Sequence, residues 1–350
     1  MRVKDRLDLD QYQAYCPCTD DLPLEEKEMR RVSSLGAAVL SALFAAAACG
    51  GSAAPQTAEA TPSPVSITVG VIPIVDVAPI YLGLKQGFFR EQNLTLDLQQ
   101  AQGGAAIIPA VVSGQYQFGF SNVVSELNAV GRGLQLKIVS QGVQATDNPN
   151  SDYGAVLVKP GSTIKDCKGL EGKTIAVNTL KNIGEVTIKA ACDKQSANVS
   201  SYKFIEMGFA DMLPAIQKGT VDAEWTVEPF VTQAKQAGAQ VITYNYAATA
   251  PHLTVATYFA SGDYVKQNPG VVKRFATAIG KSLDYANAHL DDVRQIVTTY
   301  TKISADAAKA MVLPYWSHDL NKPSIDQIAT LMQKYGLITS KPDLSNLYAS

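Results

Sequence analysis

The 350-residue sequence predicts an α/β protein with two similar lobes and a cleft between them. From Val65 onward, short β-type runs alternate with helical runs, which is the pattern of βαβ units and a largely parallel sheet. The segments IPAVVSGQYQFGF, from Ile108, and LPAIQKGTVDAEW, from Leu213, share an apolar-Pro-Ala-apolar start, a glycine three residues later and a following strand. Because matching elements also flank both segments, the sequence predicts two lobes that are built alike.

The first lobe is expected to begin with four strands and three helices. Pro79 stands in the first turn of the first helix, where its missing N–H is not needed, and Gly114 ends the second helix. The predicted strands are ITVGVIP, LTLDLQQ, FGFSN and LKIVSQGV, and the predicted helices are APIYLGLKQGFFREQ, AAIIPAVVSG and VVSELNAVGRG.

The second lobe repeats this alternation. Its predicted strands lie in KTIAVNT, SYKFIEMG, DAEWTVEPF and QVITYNY, and its predicted helices are IGEVTIKAACDKQ, FADMLPAIQKG and VTQAKQAG. The apolar runs YGAVLVKPG and LTVATYFASG flank it and are expected to be the two strands that cross between the lobes. These boundaries assign residues 65–152 and 262–350 to the first lobe, and residues 153–261, with the crossing strands, to the second. The helical remainder from Asp263 is expected to pack on the first lobe.

Residues 29–48 have the pattern of a secretory signal peptide. Arg30 and Arg31 precede an apolar stretch that lacks acidic residues and is shorter than a typical membrane span. The segment AAAC, which ends at Cys49, is similar to a bacterial lipobox. It predicts acylation of Cys49 and an extracytoplasmic lipoprotein anchored to the cell membrane. A plain secretory signal cut near Ala48 is the alternative.

The segments on either side of this signal are expected to lie outside the folded protein. Residues 1–28 are polar and precede Met29-Arg30-Arg31, so we expect translation to start at Met29 and residues 1–28 to be a non-translated extension. Cys16 and Cys18 lack the further ligands that a zinc site needs. Residues 49–64 are rich in Ala, Pro, Thr and Ser and are expected to form a flexible tether.

Charge and cysteine content narrow the class of protein. Residues 1–48 hold six of the 30 basic and eight of the 32 acidic residues, so 24 of each remain in the chain after them. This neutral balance argues against nucleic acid as a partner, because phosphate binding needs clustered Lys and Arg. Cys167 and Cys192 lie in the folded region. They either pair as a disulfide, as an oxidising compartment allows, or remain two separate small core residues.

The candidate binding residues lie in the loops that follow the predicted strands. In open α/β sheets, ligands bind beyond the carboxyl ends of the strands, where helix N-termini offer free N–H groups. The loops carry amides, hydroxyls, glycines and one tryptophan, which suit a small molecule held by a few hydrogen bonds. The candidates are Pro73, Asp76, Gln102, Gly103, Gly104, Ser121, Asn122, Asn178, Thr179, Lys181, Trp225 and Glu228.

Several of these residues have a structural alternative. Ser121 and Asn122 could cap the helix that follows them, and Asp76 is expected to cap the helix at Pro79. Glu228 could cap the helix after Pro229. The two glycines, at 103 and 104, could serve turn geometry alone, and the tryptophan could be a core residue.

Catalytic and metal-binding motifs are absent from the sequence. The three histidines, His252, His289 and His318, are widely spaced and form no HExxH motif. FSNVV around Ser121 departs from the GxSxG elbow, and GRGLQL lacks both the P-loop lysine and the third Rossmann glycine. We therefore expect a binding protein rather than an enzyme, with no metal and no cofactor.

The segments IPIVDVAPIYLGLKQGFFREQNLTLDL, GGAAIIPAVVSGQYQFGFSN and GTVDAEWTVEPF resemble the nitrate/sulfonate/taurine and thiamine-precursor class of solute-binding proteins. The resemblance implies a periplasmic-binding-protein fold and a monomer that delivers a small solute to an ABC importer permease. It also implies that the candidate loops hold the solute. No arginine lies in these loops, so an anion would rest on backbone N–H groups, Lys181 and helix dipoles; a neutral heteroaromatic such as a pyrimidine is the alternative solute.

Two other classes share this scaffold. One is a hydrolytic or pyrimidine-forming enzyme. The other is the sensor domain of a cytoplasmic regulator, which the signal sequence and the lack of a DNA-binding segment argue against.

Overall fold

The computed structural model describes residues 63–349. The predicted start at Met29, the signal peptide, the lipidation of Cys49 and residues 49–62 of the tether therefore fall outside the described residues, as do Cys16 and Cys18. Within residues 63–349, no helix is both long and apolar enough to span a membrane.

Strands and helices alternate through the first lobe as the sequence predicts. The expected helix at residues 78–92 is divided at Gly87, which has a φ of 83° and donates its N–H to the carbonyls that end the first segment. The elements are β1 (Val65–Val71), α1 (Ala78–Gln86), α2 (Phe88–Glu91), β2 (Leu94–Gln100), α3 (Gly104–Val112), β3 (Phe118–Asn122), α4 (Val123–Gly131) and β4 (Leu136–Gln144).

The second lobe repeats the order, and a strand and five helices follow it. The second-lobe elements are β5 (Gly154–Val158), β6 (Thr174–Val177), α5 (Ile183–Asp193), β7 (Lys203–Glu206), α6 (Phe209–Lys218), β8 (Ala223–Val227), α7 (Phe230–Gln236), β9 (Gln240–Thr243) and α8 (Asn245–Thr249). The remainder comprises β10 (Thr254–Ser261), α9 (Gly262–Gln267), α10 (Pro269–Ala288), α11 (Leu290–Tyr300), α12 (Ala305–Ala310) and α13 (Lys322–Lys334). Three short 3₁₀ helices lie at Val75–Val77, Lys168–Leu170 and Val199–Ser201.

The two sheets have the same topology. The first has the order β2-β1-β3-β10-β4 and the second the order β7-β6-β8-β5-β9. In each sheet the first three strands are parallel, and the fourth runs antiparallel to both of its neighbours. Both sheets are therefore mixed rather than largely parallel. The repeat noted in the sequence is confirmed, because Pro109 lies in α3 before β3 and Pro214 lies in α6 before β8.

The expected boundary of the second lobe at residue 261 is wrong. β10 pairs with β3 and β4 along its length and belongs to the first sheet, whereas β5 pairs with β8 and β9 in the second. β10 has a neighbouring strand on each side and is buried on both faces, so its sequence is apolar throughout. The same continuous apolar pattern is expected of a strand that crosses between lobes. The chain crosses between the lobes just outside these strands, in residues 145–153 and 250–253.

The C-terminal helices pack mainly on the first lobe, as expected. α10 lies against α1 and β4, and α11 lies against α1. α12 and α13 also contact α7 and α5 of the second lobe. An ion pair of 2.5 Å joins Lys334 Nζ of α13 to Asp193 Oδ2 of α5. The last helices therefore touch both lobes.

Cys167 and Cys192 are bonded to each other, with their Cα atoms 5.3 Å apart, and both are fully buried. The bond joins the segment before β6 to the end of α5 and closes a loop with a sequence separation of 25 residues.

Replacing both cysteines by alanine is expected to lower the free energy of unfolding by about 2–4 kcal/mol, because the unfolded chain gains conformational freedom. Chemical denaturation of the variant and of the reduced wild-type protein measures this change. Identical denaturation curves before and after reduction of the wild-type protein would contradict the prediction.

Candidate ligand-binding site

A small cavity, here called the inner cavity, lies between the two lobes where β1, β3, β6 and β8 end. Its volume is about 30 Å³, which is room for only a few water molecules. Its position agrees with the rule that ligands bind at the carboxyl ends of strands. The lining residues are Ile72, Ile74, Asp76, Phe120, Asn122, Asn178, Ile183, Phe209, Trp225, Val227, Tyr246, Val255 and Ala256.

A larger outer cavity of about 450 Å³ adjoins it and shares Ile72, Ile74 and Phe209 with it. Ligand sites commonly enclose about 300–1,000 Å³, so the two cavities together have the size of a small-molecule cleft. The outer lining continues with Pro73, Gln100, Ala101, Gln102, Ala210, Pro229, Phe230, Gln233, Tyr300, Thr301 and Lys302.

Aromatic side chains form much of the inner wall. Trp225 is buried, and its ring lies 5.9 Å from the rings of both Phe209 and Tyr246. The indole N–H donates to Asn245 Oδ1 at 3.1 Å, so this side chain presents its ring rather than its N–H to the cavity. Trp225 is thus both a core residue and a wall of the cleft.

Asp76 is the most unusual residue of the lining. It is 3% exposed, and its Oδ1 atom has no hydrogen-bond partner among the described residues. The expected capping role is wrong, because Val77 is the N-cap of α1 and no side chain bonds to that helix start. The Tyr153 hydroxyl lies beside the carboxyl group and lowers its pKa, and it has no other hydrogen-bond partner among the described residues. Burial raises the pKa of Asp76 to about 7, and the charge of Asp152 adds to the increase.

Asn122 and Ser121, at the end of β3, play different parts. Asn122 Oδ1 accepts the Ser125 N–H at 3.0 Å and caps α4, while the residue also lines the inner cavity. Ser121 is fully buried outside the cavity lining and donates to the Asn122 carbonyl at 3.2 Å. A Cβ atom on Gly104 would stand 2.0 Å from Ser121 Oγ, so this glycine serves packing.

Gly103 lies at a place where the two lobes approach each other. A Cβ atom there would lie 3.3 Å from both Asn178 Nδ2 and Thr179 Oγ1, which belong to the second lobe. Asn178 lines the inner cavity, and its Oδ1 atom is buried and has no hydrogen-bond partner among the described residues. Thr179 lines neither cavity.

The remaining predicted residues lie outside the inner cavity. Pro73 and Gln102 line the outer cavity. The Lys181 side chain is exposed and lines neither cavity. Glu228 is buried and accepts from the Thr232 N–H at 3.0 Å, which is the capping role considered for it.

Sequence reasoning missed the aromatic walls at positions 120, 209 and 246 and the Tyr153 hydroxyl. Phe120 and Phe209 flank candidate loops, whereas the sequence predicts a strand at Tyr246, which lies in α8. The positions of the strand ends are the sequence signal that could have identified these residues. Their side-chain directions depend on how the two lobes meet, which the sequence does not show.

Four more carboxyl groups are buried in the two lobes and in the segment between them. Burial raises the pKa of Asp152 to about 6 and that of Glu228 to about 7, and it raises the pKa of Glu224 to about 8. Burial also raises the pKa of Glu126, which accepts the Thr257 hydroxyl at 2.7 Å. Burial therefore favours the protonated form of each of these carboxyl groups over the carboxylate.

Stability is expected to fall as the pH rises toward 7. Between its ordinary pKa of 3.8 and its folded value of about 7, Asp76 holds a proton in the folded state that the unfolded chain has lost. The free energy of unfolding should decrease by about 1.4 kcal/mol per pH unit in this window because of Asp76 alone. Denaturation of the wild-type protein and of Asp76→Asn from pH 4 to 8 isolates this slope, since the other acidic groups are common to both. Parallel profiles would contradict the raised pKa.

Comparisons with known proteins give relatives of two kinds. A 4-amino-5-hydroxymethyl-2-methylpyrimidine phosphate synthase of Aspergillus parasiticus is 21% identical over 296 residues, which cover 78% of this chain and 83% of that protein. A taurine-binding periplasmic protein of Escherichia coli strain K12 is 26% identical over 189 residues, which cover 54% of this chain and 57% of that protein.

Solved structures agree on the fold. The ligand-binding component of an ABC-type import system from Staphylococcus aureus superposes with a TM-score of 0.70 at 16% identity, over 81% of this chain and 96% of that one. The alkanesulfonate-binding protein SsuA from Xanthomonas axonopodis pv. citri, bound to MOPS, also gives 0.70, at 14% identity, over 83% of this chain and all of that one. The fold is that of the periplasmic binding proteins, as expected.

A family model described as NMT1/THI5 like matches residues 74–292, which span both lobes and every residue of the inner cavity except Ile72. This match covers more than half of the chain. The chain belongs to the NMT1/THI5-like family.

Proposed function

We propose that this protein is an extracytoplasmic solute-binding protein that captures a small organic solute between its lobes and presents it to an ABC importer permease. The observation that carries the proposal is the inner cavity, where buried polar atoms of both lobes have no hydrogen-bond partner within residues 63–349. Asp76 Oδ1 comes from the first lobe and Asn178 Oδ1 from the second. Buried polar groups are normally hydrogen-bonded, so unpaired atoms that line one cavity are well suited to a bound molecule.

The structure corresponds to a closed arrangement of the lobes. The Val75 N–H donates to the Glu228 carbonyl at 3.0 Å, and Asn182 Nδ2 donates to Ser125 Oγ at 2.9 Å. Each bond joins one lobe to the other across the cleft. Opening the cleft would break both bonds, and a solute that contacts both lobes would favour their formation.

The segments that cross between the lobes act as the hinge in this proposal. Asp152 lies in the first segment and accepts backbone N–H groups from Thr146 at 3.1 Å, Tyr153 at 2.9 Å and Ala247 at 2.9 Å. Its bond with Ala247 connects the first crossing segment to α8, and α8 leads into the second crossing segment. The two segments would therefore move together.

Delivery to a permease completes the proposal. A lipid on Cys49 and the segment of residues 49–64 would hold the folded part close to the importer in the cell membrane. The related binding proteins and the two-lobed fold support this part of the proposal.

A pyrimidine-forming enzyme is the second candidate, because the Aspergillus relative has the name of a pyrimidine phosphate synthase. No histidine or cysteine lines either cavity of the cleft in the part of the chain that the structure describes. The two candidates can be separated by incubating the protein with a solute that it binds, denaturing it and identifying the released molecules by mass spectrometry. A released solute identical to the one supplied supports capture, and a chemically altered one supports the enzyme.

Closure is expected to fail in Gly103→Leu. The added side chain would meet Asn178 and Thr179 and hold the lobes apart, whereas the extended backbone at this residue, with a φ of −176°, accepts any residue. We expect affinity for the released solute to fall about tenfold or more, since solute contacts with both lobes would be lost. In small-angle scattering, the solute should compact the wild-type protein but not the variant.

Gly131→Leu is the matched control, because a Cβ atom there has nothing within 4 Å. It should bind and close like the wild-type protein. If the solute compacts Gly103→Leu as much as it compacts Gly131→Leu, closure of the lobes at Gly103 is refuted.

A further inference from the structure

We infer that the face of the first lobe around α9 and the start of α10 docks on an anionic lipid membrane, while the cleft stays turned away from the bilayer. The inference rests on the proposed anchoring through Cys49 and adds the surface that lies against the membrane. Two separate observations carry it. One is a cluster of lysines on this face, and the other is the point at which the chain enters the folded part.

A groove lined by five lysines, here called the basic groove, runs along β4, α9 and α10. It consists of two adjoining cavities of about 910 and 480 Å³, which share Lys273 and Tyr348. Lysines that line one open groove produce a surface that attracts extended negative charge. The five are Lys137, Lys266, Lys273, Lys281 and Lys322.

Three of these lysines are available to an outside partner. Lys266, Lys273 and Lys322 are exposed and form no ion pair within residues 63–349. Among the described residues, the one acidic side chain that lines the groove is Asp284, and its Oδ2 atom lies 3.4 Å from His318 Nδ1. The groove therefore has more positive charge than its own residues neutralise.

The other two lysines are bonded and help to fix the walls of the groove. Lys281 Nζ lies 2.8 Å from Glu91 Oε2, and Lys137 donates to a backbone carbonyl of the C-terminal segment, residues 345–349. That segment lies along the edge of β4, where it accepts the Ile138 N–H at 2.7 Å and donates to the Ile138 carbonyl at 2.8 Å. The three available lysines thus belong to a surface that the backbone holds in place.

The chain enters the folded part on the same helix. Arg274 follows Lys273 in α10, and its Nη1 atom donates to the Ser63 carbonyl at 3.2 Å. Ser63 is 14 residues beyond Cys49, and a flexible coil of that length has a root-mean-square reach of about 20 Å and a full extension of about 50 Å. A lipid on Cys49 would therefore keep the start of α10 within this distance of the membrane.

The start of the basic groove and the cleft lie at opposite edges of the first sheet. β1, β3 and β4 run in one direction, because β3 is parallel to β1 and both β3 and β4 are antiparallel to β10. Lys137 lies at the beginning of β4, and Lys266 lies in α9, which follows the end of β10 at Ser261. The cleft lies where β1 and β3 end. A membrane against the starting edge leaves the cleft open to solvent, where solutes can enter.

Binding of the full chain to two kinds of lipid vesicle tests the inference. One kind is pure phosphatidylcholine, which is neutral overall, and the other has equal parts of phosphatidylcholine and the anionic phosphatidylglycerol. A lipid or an apolar segment binds both kinds, so the difference between them measures the contribution of charge. We expect binding to the anionic vesicles to be about tenfold or more tighter at low salt, and this difference to vanish in about 1 M salt, because ions screen the lysines.

The variant Lys266→Gln/Lys273→Gln/Lys322→Gln removes the three available charges of the groove. None of these side chains is buried or ion-paired within residues 63–349, so the fold should be retained. The variant should lose about tenfold or more of its affinity for anionic vesicles and keep its affinity for neutral ones.

The matched control is Lys159→Gln/Lys168→Gln/Lys203→Gln, which removes the same charge from the second lobe. These lysines are also exposed and form no ion pair in the described part of the chain. The control should change its affinity for anionic vesicles by less than about threefold. In acetylation footprinting of the wild-type protein by mass spectrometry, anionic vesicles should protect the three groove lysines and leave the three control lysines reactive.

Several outcomes overturn the inference. These are equal binding to both kinds of vesicle, equal losses in the two variants, and protection of the control lysines in place of the groove lysines. Protection of the groove lysines by native cell membranes, but not by anionic vesicles, would assign this face to a protein partner and would also overturn it. Solute-driven compaction should be the same in the groove variant as in the wild-type protein. A protein that no solute compacts would refute capture, whereas the vesicle results decide the docking face independently.

Discussion

The buried carboxyl group of Asp76 is the constraint on which this account of the cleft depends. A carboxyl group that leaves water without gaining a hydrogen-bond partner destabilises the folded state. Here it lies in the 3₁₀ helix Val75–Val77 that follows β1, beside the Tyr153 hydroxyl. A protein that served only its own stability would fill this position with an apolar or hydrogen-bonded side chain. The arrangement is understandable where a third molecule supplies the missing donors.

The twin sheets explain why the polar atoms meet. In each sheet, three parallel strands end at the same edge, and the two edges face each other across the gap. Residues just after β1 and β3 therefore approach residues just after β6 and β8. Gly103 permits this approach, and the bond from Val75 to the Glu228 carbonyl completes it. The same geometry makes the cleft sensitive to any bulk added between the lobes.

Much of the fold could be predicted from local patterns, because alternation, prolines and glycines act over a few residues. β2 and β3 begin and end where the sequence predicts, and the repeated Pro-Ala segments do mark equivalent positions. The place of β10 could not be predicted, since its partners lie more than 100 residues earlier in the chain. An apolar run shows that a strand is buried, but it does not show which sheet buries it.

The candidate site divides in the same way. Loops after strands could be predicted as the cleft, and Asp76, Asn122, Asn178 and Trp225 do line the inner cavity. Whether a polar side chain caps a helix or faces the gap depends on bond angles that sequence does not contain. Asn122 does both, and Glu228 caps a helix. The aromatic side chains that line the inner cavity could not be predicted, because their directions are set by how the two lobes meet.

A structure of the protein with its own released solute tests the central claim most directly. The account predicts a single molecule enclosed between the lobes, with its donor groups on Asp76 Oδ1 and Asn178 Oδ1. A molecule bound elsewhere, or one between the lobes that leaves both oxygens without a partner, would contradict it.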